Sequence, residues 1–207
     1  MISLLDKNNK LFEHKNSINI TYPRNVNIIF GNYPYPDIIH NLILQIKNNL
    51  DPKMKNYTNV KGGMTDWDYF KNEPMFNNFL IWLINKHQVS HPHIFEYFLE
   101  KKGVVSAWGN QIKKGDSLDF HTHPHYHCIL YLTGGCDLIL PELNLKITPK
   151  PGDYYVFPPE IMHGFPVYEG EKERYSLIFN MGQNADAFDL NAKMKILEEK
   201  DNERKNS

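Results

Sequence analysis

Four histidines stand at every second position from His121 to His127. Residues two apart in an extended strand project from the same face, so His121 and His123 would present their imidazoles side by side. Two neutral imidazoles on one face can chelate a divalent metal, and a third ligand then usually comes from another strand. His163 is the candidate, because it follows a strand-like run and a Pro-Pro turn. We therefore expect a metal site made of His121, His123 and His163, with open positions for substrate or oxygen.

Neighbouring residues offer alternatives to this ligand set. His127 is an alternative to His123 as the middle metal ligand, and Asp119 could supply a carboxylate from the same strand face. Otherwise His125 and His127 are expected to orient the ligands or to contact substrate. A histidine-rich surface turn without metal is the plainest alternative.

A second His-x-His pair, His91 and His93, opens a predicted helix. Positions two apart point in different directions on a helix, so this pair is interpreted as helix capping or solvated surface rather than as a metal site.

The elements that position these residues change in character along the chain. The first half predicts a strand over 17–29 that is broken at Pro23, followed by helices over 37–50, 74–87 and 92–101. Short strand-like runs separated by Gly and Pro follow at 104–111, 117–123, 128–132, 136–140, 154–157 and 174–180. A final helix is predicted over 185–199. The pattern indicates one α+β domain over 1–207, with helices in 1–103 packed against a β-barrel core in 104–182, and a helix and tail in 183–207.

Composition narrows the class of protein. The 207 residues are 41% apolar with a formal net charge of −1, which fits a globular domain and gives no reason to expect nucleic-acid or membrane binding. The first residues lack the apolar stretch of a signal peptide, and no apolar run approaches the length of a membrane span. We expect a cytoplasmic protein in which Cys128 and Cys136 are reduced thiols.

Two spacing patterns resemble known families. The first joins Gly115, His-x-His, His127 and Gly134 with the later Gly152, Pro158 and His163, and it resembles the two motifs of the cupin superfamily. In that superfamily, histidines from different strands of a double-stranded β-helix converge on one metal. The sequence departs from it where His127 replaces the acidic ligand of the first motif and where Glu160 replaces a glycine of the second.

The second pattern covers about residues 55 to 182. Its motifs are, in order, Thr58 to Gly63, Thr65-Asp66, Trp108-x-Asn110, Gly115, His121-x-His123-Pro124, Tyr131-Leu132, Pro151-Gly152-Asp153, Phe157-Pro158, His163 and Glu173 to Asn180. This order resembles the 2-oxoglutarate/iron(II) oxygenases more closely than the cupins, and in particular a family common in marine bacteria and phages.

This resemblance implies a double-stranded β-helix, Fe(II) held by the three histidines, and 2-oxoglutarate as cosubstrate. Arg174 and Ser176 share a strand face and would hold the distal carboxylate, which the planar guanidinium can grip with two parallel hydrogen bonds. Asn110 and Tyr131 would also contact the cosubstrate, and Trp108 would line the pocket, although all three could instead belong to the barrel core. The alternative for Arg174 is a surface ion pair with Glu169, Glu171 or Glu173. The sequence departs from the superfamily at His123, where a carboxylate ligand is usual.

The implied activity is hydroxylation of a C–H bond in a small-molecule or amino-acid substrate, with consumption of molecular oxygen. The alternatives are a cupin-type dioxygenase or isomerase with histidine ligands and no cosubstrate, or a non-catalytic metal-binding barrel. The Arg174-x-Ser176 pair separates them, because only the first interpretation requires it. Trp67, Tyr69 and Phe70 fit either a lid or homodimer surface, or plain core.

Overall fold

The fold is described from a computed structural model, which covers residues 2–4, 11–14, 17–21, 25–55, 58–92, 94–95, 104–159 and 161–182, with side chains from 26 onward. The predicted helix over 185–199, most of that over 92–101, and His93 lie outside these ranges. In the described ranges, the strands are β1 Ile2–Leu4, β2 Leu11–His14, β3 Ser17–Thr21, β4 Asn25–Asn32, β5 Val60–Lys61, β6 Gly63–Met64, β7 Val104–Ile112, β8 Ser117–His121, β9 Tyr126–Tyr131, β10 Leu138–Leu140, β11 Leu145–Ile147, β12 Asp153–Phe157, β13 His163–Phe165 and β14 Arg174–Met181. The helices are α1 Pro36–Asn48 and α2 Pro74–His87, with short 3₁₀ turns at Pro52–Met54 and Pro141–Leu143.

The strands form two antiparallel sheets. The larger sheet has the order β2-β3-β4-β12-β9-β14-β7-β6, and the smaller has the order β1-β11-β10-β13-β8-β5. At the centre of the larger sheet, β14 pairs with β7 on one side and with β9 on the other. Strands from before residue 104 join both sheets.

The larger sheet separates two hydrophobic cores. Along β14, Ile178 belongs to the core enclosed by the two sheets, whereas Leu177 and Phe179 belong to the core beneath the helices. The same alternation holds on β9, where Ile129 faces the first core and Leu130 the second. Because successive side chains of a strand point to opposite faces, this period of two places every second residue of the central strands inside the barrel.

The two helices cover the outer face of the larger sheet. In α1, which begins at a proline, Ile39, Leu42 and Ile46 are buried at helical spacing. Gly109 on β7 lets α1 approach closely, because a Cβ at that position would overlap the side chain of Ile46. In α2, the buried residues begin with Phe76 and Phe79 and end with His87.

The predicted α+β architecture with helices on one side of the strands is confirmed, and α2 has the predicted bounds. The strand predicted over 117–123 ends at His121, so His123 lies beyond the regular ladder. The predicted break near Pro23 agrees with the separation of β3 from β4. No helix in the described part of the chain is long and apolar enough to cross a membrane.

A buried histidine beneath the helices makes stability depend on pH. The imidazole Nε2 of His87 lies 2.7 Å from the hydroxyl of Tyr154, and burial, then His91 and Lys86, lower the pKa of His87 to about 4 from 6.5. Below pH 6.5, His87 is therefore protonated in the unfolded chain, whereas it stays neutral in the folded protein until the pH reaches about 4. The contribution of His87 to the free energy of unfolding is fully present above pH 6.5, and about 3 kcal/mol is lost as the pH falls to 4.

We expect the free energy of unfolding, measured by urea titration at several pH values, to fall more steeply in the wild type than in His87→Gln, which cannot titrate. Parallel pH profiles for the two proteins would contradict a depressed pKa at His87.

Candidate active site

Three of the predicted ligands meet at one end of the space between the sheets. His163 on β13 is the direct cross-strand partner of His121 on β8, and His123 follows two residues after His121. One ring nitrogen from each of the three lies within 4.8 Å of the others. The Nε2 atoms of His121 and His123 are 3.1 Å apart. The three side chains are thus grouped closely enough to share one metal ion.

Backbone carbonyls hold two of these rings. Nδ1 of His121 lies 2.7 Å from the carbonyl oxygen of Asp119, and Nδ1 of His163 lies 3.0 Å from that of Ile161. A carbonyl only accepts hydrogen bonds, so Nδ1–H donates in both cases and Nε2 keeps its lone pair. Such a bond fixes the tautomer and the orientation that a metal-binding imidazole requires.

The histidines of the site favour the neutral form. Burial lowers the pKa of His121, and burial with the neighbouring His121 lowers the pKa of His163 to about 4. Burial, then His163, His121 and His125, lowers the pKa of His123 to about 2. Neutral imidazoles near pH 7 are the form that coordinates a metal, so protons compete weakly there.

The other candidate residues do not belong to this group of three close ligand atoms. His127 is buried on β9 beside His123, but it does not belong to the group of mutually close ligand atoms. The carboxylate of Asp119 is largely exposed and lies 3.2 Å from Nζ of Lys61. His125 is buried against Gly182 and does not line the pocket, and buried His91 lies 2.9 Å from the hydroxyl of Ser90 at the end of α2.

The pocket beside the histidines contains the predicted cosubstrate residues. It encloses about 460 Å³, part of it open to solvent, and Arg174, Ser176, Asn110, Tyr131 and Trp108 all line it together with His127 and the three clustered histidines. The five cosubstrate and pocket residues come from β7, β9 and β14, at the alternate positions that face the core between the two sheets. The structure therefore brings every predicted site residue except His125 to one pocket.

Arg174 is buried rather than paired at the surface. It is 3% exposed, and its guanidinium lies over the rings of Tyr131 and Phe165, at 4.8 and 5.2 Å from their centroids. Among the described residues, Arg174 forms no ion pair with a carboxylate, while Glu171 and Glu173 pair with Lys114 and Lys113. Cation–π contacts of this kind offset part of the cost of burying a charge, but they give Nε of the guanidinium no hydrogen-bond acceptor among the described residues.

Four buried polar atoms of the pocket have no hydrogen-bond partner within the part of the chain that the structure describes. They are Nε1 of Trp108, Oδ1 of Asn110, the hydroxyl of Tyr131 and Nε of Arg174. Buried polar groups are nearly always hydrogen-bonded, and leaving one unpaired costs about 1–3 kcal/mol. Four such atoms around one cavity indicate that it binds a polar ligand.

Some residues of the site were not predicted from the sequence. Phe165 contacts Arg174, and the ring of Trp67 packs edge-on against Trp108 at a centroid distance of 4.7 Å. Asn180 and Ser106 form hydrogen bonds beneath the histidines. The position of Phe165, two residues after the candidate ligand His163, was an available signal. The contacts of Asn180 and Ser106 depend on strand register, which the sequence does not reveal.

Sequence comparison finds no match to a family model and none to a curated protein. Structure comparison finds several similar folds. A viral collagen prolyl hydroxylase from Paramecium Bursaria Chlorella virus-1, in complex with 2-oxoglutarate, superposes with a TM-score of 0.58 at 16% identity, over 74% of this chain and 94% of that one. A prolyl-4-hydroxylase from Pseudomonas putida gives a TM-score of 0.54 at 14% identity, over 75% and 92%.

HygX from Streptomyces hygroscopicus, with nickel and 2-oxoglutarate bound, gives a TM-score of 0.52 at 10% identity, over 75% of this chain and 82% of that one. Together with the two facing antiparallel sheets, these similarities confirm the double-stranded β-helix that the motif order implied.

Proposed function

We propose that the protein is an Fe(II)- and 2-oxoglutarate-dependent dioxygenase that hydroxylates its substrate. The observation that carries this proposal is the placement of a buried arginine, which has no carboxylate partner among the described residues, in the same pocket as three clustered histidines. The proteins of similar fold that bind 2-oxoglutarate, in the case of HygX together with nickel, add support.

The proposed metal ligands are His121, His123 and His163, whose imidazoles suit Fe(II) and leave coordination positions for other ligands. When bound, the iron activates dioxygen and couples decarboxylation of 2-oxoglutarate to oxidation of the substrate. The set has three neutral donors where two histidines and a carboxylate are usual in the superfamily, so it carries one negative charge less.

Arg174 and Ser176 are proposed to bind the distal carboxylate of 2-oxoglutarate. The guanidinium supplies two parallel donors, and the serine hydroxyl, on the same face of β14, adds a third. The hydroxyl of Tyr131, which burial holds protonated by raising its pKa to about 12 despite the charge of Arg174, is a fourth donor. A dicarboxylate would thus satisfy the unpaired atoms of Arg174 and Tyr131, and Asn110 and Trp108 are further candidates for cosubstrate or substrate contacts.

For the substrate and the assembly, the proposal keeps what was predicted from the sequence. A small molecule or an amino acid, with molecular oxygen, is proposed as the substrate pair. A homodimer, a cytoplasmic location, one domain and the absence of a nucleic-acid partner stay predictions. The cupin-type alternative without cosubstrate gives no role to the buried Arg174, which has no acidic partner in the part of the chain that the structure describes.

The proposal is tested by turnover of 2-oxoglutarate. With Fe(II), ascorbate and oxygen, we expect slow formation of succinate even without substrate, and none when Fe(II) is omitted or when Zn(II) replaces it. A purified, folded protein that binds Fe(II) and forms no succinate with any of a panel of candidate substrates would favour the cupin-type alternative.

A further inference from the structure

His123 differs from the other two clustered histidines in how its ring is held. It lies beyond the end of β8 and is followed by an exposed proline. Within the described residues, Nδ1 of His123 has no backbone carbonyl partner like those of His121 and His163. An imidazole that rotates about two side-chain bonds needs some other constraint if its Nε2 is to face a metal.

The ring of His127 supplies a flat surface directly against His123. The two ring centroids are 3.8 Å apart, and the planes differ by 10°. Among the described histidines of the site, no other pair of rings is as close or as nearly parallel. The next closest pair, His121 and His163, has a centroid distance of 4.5 Å and an angle of 52°. Rotation of the His123 ring about its last side-chain bond would drive an edge into His127.

The ring of His127 is itself held in place by hydrogen bonds. It is 3% exposed, and its Nδ1 lies 2.8 Å from Oδ1 of Asn180, whose Nδ2 donates to the hydroxyl of Ser106 at 3.1 Å. Since Asn180 donates through its nitrogen to Ser106, its oxygen accepts from Nδ1–H of His127. This chain of bonds sets the tautomer and the plane of the His127 ring.

The same residues are aligned by the sheet. Ser106, Asn180, His127 and Phe157 are direct cross-strand partners on β7, β14, β9 and β12. At the far end of this row, the ring of Phe157 lies nearly parallel to that of His163, with a centroid distance of 5.9 Å and an angle of 13°. One row across four adjacent strands of the larger sheet therefore supplies ring contacts to two of the three clustered histidines.

We propose that His127 is a positioning residue for His123 rather than a metal ligand. Held by Asn180 and Ser106, its ring keeps the plane of His123 fixed by face-to-face contact, as backbone carbonyls do for His121 and His163. This inference rests on the proposed metal site. It explains how a histidine placed outside a regular strand, where the superfamily usually has a carboxylate, can be a defined ligand.

The test separates the effect of removing the ring of His127 from the effect of removing only its ring nitrogens. Co(II) affinity is measured by visible absorption for the wild type, His127→Ala and His127→Phe. Because the phenylalanine ring would leave Asn180 without its partner, the paired variant His127→Phe with Asn180→Leu is included, which removes both polar partners together. His40→Ala, at an exposed position of α1, is the matched control.

We expect His127→Ala to weaken Co(II) binding by about 10- to 100-fold, as loss of an orienting contact does. At least one of the two phenylalanine variants should bind within a few-fold of the wild type. Equal losses in the alanine and folded phenylalanine variants would overturn the positioning role and would assign His127 as a ligand.

A second measurement is independent of the variants. In the wild type loaded with Zn(II), nitrogen NMR of the histidine rings should show metal-bound Nε2 in His121, His123 and His163, and a protonated Nδ1 with unbound Nε2 in His127. A metal-bound nitrogen in His127 would overturn the inference alone. Failure of the wild type to bind any divalent metal would instead overturn the proposed function, and the positioning role with it.

Discussion

Replacement of Arg174 by alanine is expected to weaken 2-oxoglutarate binding by roughly 100-fold while leaving metal binding intact. The guanidinium is buried, and its Nε has no hydrogen-bond partner among the described residues, so a carboxylate that docks there would gain charge-assisted bonds out of water. Truncating one partner of a buried, hydrogen-bonded charge pair costs about 2–5 kcal/mol, which is roughly 30-fold to several thousand-fold in affinity.

The measurement is an anaerobic titration of the Fe(II)-loaded variant with 2-oxoglutarate. Arg174→Lys keeps the charge but loses the planar pair of donors, so it should bind with intermediate affinity. Lys113→Ala removes a nearby exposed cation that pairs with Glu173 and should bind as the wild type does. If folded Arg174→Ala binds 2-oxoglutarate as tightly as the wild type, the proposed cosubstrate role of Arg174 is wrong.

Replacement of His163 by alanine is expected to abolish metal-dependent activity. An apparent binding free energy of about 10–16 kcal/mol for a four-ligand zinc site corresponds to about 2.5–4 kcal/mol for each ligand, which is roughly 100- to 1,000-fold in affinity. His163 is also the strand partner of His121, so its loss removes one whole side of the cluster.

Isothermal titration with Co(II) measures the affinity, and circular dichroism checks that the variant is folded. Removal of a buried, desolvated imidazole should not by itself unfold the protein. His40→Ala is the matched control, since it removes an exposed histidine from α1. Wild-type Co(II) affinity in folded His163→Ala would show that the metal binds elsewhere.

Much of the fold was predictable because its elements obey simple periodicities. The alternation along β14, with Arg174, Ser176 and Ile178 on one face and Leu177 and Phe179 on the other, follows from a strand buried on both sides. Helices α1 and α2 were recognisable from a proline at the start of each helix and from apolar residues at helical spacing. Strand β11 and the short β13 were missed, because runs of three residues carry too little periodicity to be distinguished from loops.

The site was predictable where residues are close in sequence or resemble a known motif order. His121 and His123 follow from one strand period, His163 from the strand-like run and Pro-Pro turn before it, and Arg174 from the resemblance to the oxygenase motif order. The support beneath His123 was not predictable, because the contact of His127 with Asn180 and Ser106 depends on the register of three strands. The early end of β8 at His121 was missed for a related reason, since a His-x-His pair is equally compatible with a strand and with a strand end.

The measurement that tests the central claim most directly is the wild-type arm of the anaerobic titration, with Fe(II) added first and 2-oxoglutarate second. Chelation of protein-bound iron by the 2-oxo acid should produce a weak visible charge-transfer band that saturates with 2-oxoglutarate and disappears when Zn(II) replaces Fe(II). If the folded protein binds Fe(II) and no band develops at saturating 2-oxoglutarate, the protein does not use this cosubstrate at the three-histidine site.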